Sequence, residues 1–143
     1  MRIALFGDIH ANLEALSAVL EDAKSQGCEQ WVCLGDIVGY NANPGECLDL
    51  VRSLECPSVK GNHDEDACGD HSLKSMNPIA ATALSWTREQ LSEEQRKWSP
   101  HLTCVIEYLS MRCKGLGMLL LDVPLTSLVV MLGLVVYYKL VFM

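Results

Sequence analysis

Basic residues are scarce in this chain. Eleven Lys and Arg stand against eighteen Asp and Glu, a net charge of −7. Such a chain has no general basic face for a polyanion, so specific nucleic-acid binding is not expected. Paired cysteine spacing is also missing. Seven cysteines are spread over Cys28, Cys33, Cys47, Cys56, Cys68, Cys104 and Cys113, an odd number with no C-x-x-C among them. No secretory signal precedes them, so reduced thiols in a cytoplasmic protein are expected rather than a disulfide frame. Met1-Arg2-Ile3 leads directly into a strand pattern, so the domain is expected to start at the first residue. Against these gaps, 50% of the 143 residues are apolar, enough for the core of one compact domain.

Residues 1–98 read as α/β sequence. Ile3 to Phe6 is a short apolar run of the kind found in buried parallel strands. Asn12 suits a helix N-cap. Leu13, Leu16, Val19, Leu20 and Ala23 follow at helical spacing, and Gly27 closes the pattern. WVCL (31–34) reads as a second strand. Asn43-Pro44-Gly45-Glu46 opens a second helix, with Glu46 able to reach back and with Cys47, Leu50, Val51 and Leu54 as its inner face. PSVK (57–60) reads as a third strand. A further helix is expected over 77–91, opened by Asn77-Pro78, and another from the capping box at Ser92. The order makes two βαβ units, an α/β fold with right-handed crossovers.

Beyond Pro100 the character changes. From Leu116 to Met143 the only acid is Asp122 and the only base Lys139, and 125–143 is a nearly unbroken apolar run of 19 residues. Three readings fit. It just reaches the roughly 20 residues that span a bilayer, with Lys139 placed to snorkel. It equally suits a pair of buried strands. Or 99–143 is a tail foreign to the domain, the product of a shifted reading frame. Encoded as CTG TCC ATG CGN, Leu109 to Arg112 becomes Val-His-Ala when read from the third base.

The three expected strands end alike, in Gly7-Asp8-Ile9-His10, Gly35-Asp36-Ile37-Val38-Gly39-Tyr40 and Gly61-Asn62-His63-Asp64. In a parallel sheet these turns share one edge, where α/β proteins bind ligands. Asp8 to Asp36 is 28 residues and Asp36 to Asn62 is 26, each about one βαβ unit. Asp8, His10, Asp36, Asn62 and His63 therefore converge. Two carboxylates so close repel one another unless a cation lies between them. Carboxylate, amide and imidazole without thiolate suit Mn, Fe, Zn or Mg. Two such ions bridged by a carboxylate are the usual device for phosphate-ester hydrolysis, and Asp36, on the middle turn, is the natural bridge.

GDIHAN, GDIVGY and GNHD, in that order and spacing, resemble the calcineurin-like metallophosphoesterases, over residues 1–98. The resemblance implies the first half of a four-layer α/β/β/α sandwich and hydrolysis of a phosphate mono- or diester by two divalent ions. It places Asp8 and His10 on one metal, Asp36 on both and Asn62 on the second, where its amide also touches substrate. It puts His63 beside the leaving group as an acid or electrostatic stabiliser, oriented by Asp64 or another carboxylate. Tyr40 and Asn41 fall where a substrate pocket would be lined, though Tyr40 equally suits packing on the next helix. The family also uses later histidines, including a Gly-His-x-His turn. This chain has only His10, His63, His71 and His101, and no such turn. A second ion would rest on Asp36 and Asn62 alone, so activity is expected to be weak or absent. The alternative is a non-catalytic metal-binding remnant, membrane-associated through 125–143. Simpler roles are expected elsewhere: Trp86 and Trp98 in the core, Glu89, Glu93 and Glu94 on a solvated face, and His71, Glu65, Asp66 and Asp70 in a solvated loop.

Overall fold

The computed structural model describes residues 2–70, 72–98 and 136–141. Strand β1 (Arg2–Gly7) leads through helix α1 (Leu13–Ser25) to strand β2 (Gln30–Cys33). Helix α2 (Pro44–Ser53) and helix α3 (Asn62–Cys68) follow, then a single 3-10 turn at Leu73–Ser75, helix α4 (Pro78–Gln90), helix α5 (Glu93–Lys97) and strand β3 (Val136–Val141). The sheet order is β2-β1-β3. β1 and β2 run parallel, with Ile3 opposite Gln30 and Phe6 opposite Cys33. β1 and β3 run antiparallel, with Arg2 opposite Val141 and Gly7 opposite Val136.

The local rules of the sequence explain most of this. Ile3, Ala4 and Phe6 are fully buried, as a strand flanked on both edges and covered on its faces requires. Asn12 caps α1 by accepting a hydrogen bond from the Ala15 N–H at 3.0 Å, and Leu16, Val19, Leu20 and Ala23 form the buried stripe. Gly27, at φ +69°, lets the chain leave the helix and return to the sheet. Asn77 and Ser92 cap α4 and α5 through their side chains. Asn43 occupies the cap position of α2 but makes no side-chain cap bond, and Pro44 takes the first helical position, where its fixed φ suits the start of a helix. One inner core gathers Phe6, Leu16, Ile37, Val38, Val51 and Leu84.

Three expectations change. Residues 57–60 do not form a full strand. They make one parallel bridge, Cys33 to Ser58, with Cys33 N–H donating to Pro57 O and Val59 N–H to Cys33 O, both at 2.9 Å. Pro57 has no N–H for a longer ladder, and the chain turns into α3 soon after. The third motif, read as a turn, instead opens helix α3. Trp86 is not a core residue: it is 40% exposed on α4, whereas Trp98 packs on the core. Within 125–143, residues 136–141 form β3; the remainder of that run lies outside the described residues, as do His71, His101, Cys104, Cys113 and the Val-His-Ala segment of the frameshift reading. Among the described residues no helix is long and apolar enough to cross a membrane.

Candidate metal centre

The first two motif loops are joined by their backbones. Asp8 N–H donates to Gly35 O at 3.1 Å, His10 N–H to Asp36 O at 2.9 Å and Ala11 N–H to Ile37 O at 2.8 Å. This continues the parallel pairing of β1 and β2 past the strand ends. The loops are strained while doing so. Asp8, His10, Asp36 and Tyr40 all have φ between 48° and 65°, a region that residues with a Cβ enter only when their surroundings hold them there. The result is that one ligand atom each from Asp8, His10 and Asp36 lies within 4.8 Å of the others.

The donors could hold a cation. His10 Nδ1 lies 3.2 Å from the Val38 carbonyl. A carbonyl only accepts, so Nδ1 carries the proton and Nε2 keeps its lone pair for a metal. Asp36 Oδ1 accepts from the His63 N–H at 3.0 Å, which orients the carboxylate and leaves Oδ2 open. The third loop closes in on the same group. A Cβ on Gly61 would overlap the Asp36 backbone nitrogen and carboxylate, so this approach needs glycine. Gly61→Ala is therefore expected to lower stability by about 2 kcal/mol and Mn²⁺ affinity by roughly tenfold. Chemical denaturation and calorimetric titration measure the two, and an unchanged affinity would refute the packing argument.

Asp64 has a different place from the one expected. It does not orient His63. Its Oδ1 accepts from the Ile37 N–H at 2.8 Å and the Val38 N–H at 3.1 Å, and its Oδ2 accepts from the Gly61 N–H at 2.9 Å. Asp64 thus ties the second motif loop to the third. Burial pushes its carboxyl up to about 6, against the pull of the Gly61, Val38 and Ile37 amides. Its position three residues after Gly61 was the sequence signal, since a carboxylate there reaches back to the start of a helix.

His63 is buried and its Nδ1 has no hydrogen-bond partner among the described residues. Its ring is held by packing instead. The ring centroids of His63, His10 and Tyr40 lie 4.8–5.0 Å apart, and a Cβ on Gly39 would stand 2.7 Å from His63 Nδ1. Burial, then the neighbouring His10, lowers the His63 pKa, while Asp36, Asp66 and Asp8 oppose them. Tyr40 lies against the His10 and His63 rings and is 46% exposed. Asn41 donates from Nδ2 to the His10 carbonyl at 2.8 Å; it braces the loop. Asn62 is exposed at the first position of α3. Glu89, Glu93 and Glu94 are solvated as expected. Five of the seven cysteines lie among the described residues, and none of these five forms a disulfide.

The parallel strands β1 and β2 thus end in loops that bring two carboxylates and an imidazole together, a group that could hold a metal ion. The sequence pattern of the calcineurin-like phosphoesterases matches residues 1–108, and the chain belongs to that family. A protein of Methanocaldococcus jannaschii whose own function is uncharacterised is 50% identical over 105 residues, 73% of this chain and 43% of that protein. The crystal structure of a metallophosphoesterase from Sphaerobacter thermophilus superposes with a TM-score of 0.57 at 48% identity, covering 68% of this chain and 40% of that one. A protein proposed to be a diadenosine tetraphosphatase gives a TM-score of 0.51 at 26% identity, with 67% and 40% covered. The chain thus spans less than half the length of these relatives.

Proposed function

We propose that this chain binds a divalent cation through Asp8, His10 and Asp36 and acts as a metal-dependent phosphoesterase of low activity. The convergence of those three donors within 4.8 Å supports the reading most strongly. The donor chemistry fits Mn, Fe, Zn or Mg. When bound, the ion supplies charge neutralisation for phosphoryl oxygens and acidity for a water. A second ion would be held by Asp36 and the Asn62 amide, a pair too small for tight binding. Asn62, exposed at the first position of α3, would donate from its amide to a phosphoryl oxygen. His63, neutral near pH 7 because burial and His10 lower its pKa, acts as a hydrogen-bond donor and electrostatic stabiliser beside the leaving group. Asp64 fixes the two loops on which the others ride.

Hydrolysis of bis-p-nitrophenyl phosphate and p-nitrophenyl phosphate across a Mn²⁺ titration tests this reading. Slow turnover that saturates with Mn²⁺ is expected. A second reading, a metal-binding chain without catalysis, draws on the small donor set that Asp36 and Asn62 would offer a second ion. Mn²⁺ uptake by calorimetry with no turnover at any concentration would establish it, and absence of uptake would sink both.

A further inference from the structure

Tyr40 is the outermost ring of the site. The imidazoles it touches are nearly buried, His10 at 7% and His63 at 8% exposed, while Tyr40 is 46% exposed. One side of the phenol therefore rests on the site's own rings and much of the remainder faces solvent. The backbone is bent to put it there. Gly39 at φ +96° and Tyr40 at φ +65° are consecutive left-handed residues, a conformation costly for a tyrosine. A ring needed only for packing would be better served by a relaxed backbone and a buried position. The loop beyond it is clamped, because the Asn41 N–H and Nδ2 both donate to the His10 carbonyl, at 3.2 and 2.8 Å. An aromatic face held rigidly beside a phosphate-binding centre loses little entropy when a second ring stacks on it.

We propose that Tyr40 is a specificity-determining platform that favours phosphate esters whose leaving group is a flat aromatic ring system, such as an aryl alcohol or a nucleoside. The proposal rests on the phosphoesterase reading above. Ester oxygen and ring are joined in such substrates, so phosphate held by the centre places the ring within reach of the Tyr40 face. Stacking of this kind is worth on the order of tenfold in affinity.

Phenylphosphonate and methylphosphonate test the idea, since neither is hydrolysed and both present the same anionic head. Calorimetric titration of the Mn²⁺-loaded protein is expected to show phenylphosphonate binding about tenfold tighter. Tyr40→Phe, which keeps the ring, retains that ratio, and Tyr40→Leu collapses it several-fold toward one. A ratio near one in the wild type, an unchanged ratio in Tyr40→Leu, or equal losses in both variants overturns the proposal while leaving the phosphoesterase reading intact. Failure of the loaded protein to bind either phosphonate overturns the phosphoesterase reading and the proposal with it. Should Tyr40→Leu not fold, magnetisation transfer between phenylphosphonate and the Tyr40 ring, measured with Mg²⁺ on wild-type protein, decides the matter. Its absence overturns the stacking.

Discussion

Asp36→Asn is expected to raise the melting temperature of the metal-free protein and to erase the stabilisation that Mn²⁺ gives the wild type. The two changes have opposite signs for one reason. Without a cation, the Asp8 and Asp36 carboxylates lie within 4.8 Å of each other, a repulsion on the order of 1–3 kcal/mol for partly solvated charges. Asparagine removes it and still offers an oxygen to the His63 N–H. With a cation, that same charge is the main attraction. Mn²⁺ at about 100 times its dissociation constant stabilises the wild type by roughly 2.7 kcal/mol, or about ten degrees for a domain of this size. The variant should gain almost none of this. Turnover of bis-p-nitrophenyl phosphate should fall by more than the roughly 10- to 100-fold typical of a residue that merely supports a ligand. Differential scanning fluorimetry with and without Mn²⁺ checks the first part. A wild-type-sized shift in the variant would show that Asp36 is no ligand.

The second large effect is structural. Asp64→Ala removes the acceptor of three backbone amides, those of Ile37, Val38 and Gly61. Asp64 is 2% exposed, so water does not readily replace it. Each buried N–H left alone costs about 1–3 kcal/mol, and the sum approaches the whole stability of an ordinary domain, about 5–15 kcal/mol. Asp64→Ala should be largely unfolded at 25 °C, whereas Asp64→Asn, which keeps one acceptor, should fold with a loss of about 2–3 kcal/mol. Urea denaturation followed by circular dichroism measures both. An alanine variant within 2 kcal/mol of wild type would mean that the loops are held together by something else.

Asp64 also shows where sequence reading stopped. Local rules carried α1 almost residue by residue, because Asn12, the apolar spacing and Gly27 all state the same helix. The convergence of Asp8, His10 and Asp36 was legible from their spacing, since parallel strands return each turn to one edge. Three things were not. The shortness of the 57–60 segment depends on which amides face β2, and Pro57 settles that only once the neighbour is known. The role of Asp64 depends on the N–H groups of Ile37 and Val38, distant in sequence and brought close by the fold. The exposure of Trp86 reflects which face of α4 meets the core, and an Ala-rich helix such as IAATALSW states that face weakly. His63 was found by motif. That its ring is held by Gly39 and Tyr40 rather than by a carboxylate is a matter of packing.

The register of the sheet bears on how the molecule is made. Arg2 pairs with Val141 and Gly7 with Val136, so one edge of β1 is completed by residues translated more than a hundred codons later. At about 5–20 residues per second, the strand that carries Asp8 toward its neighbours leaves the ribosome on the order of ten seconds before that partner exists. During this interval its bare amides and carbonyls offer a template to any nascent strand nearby. Yield in a cell should therefore respond to chaperone supply and growth temperature more steeply than the finished protein's stability alone would dictate.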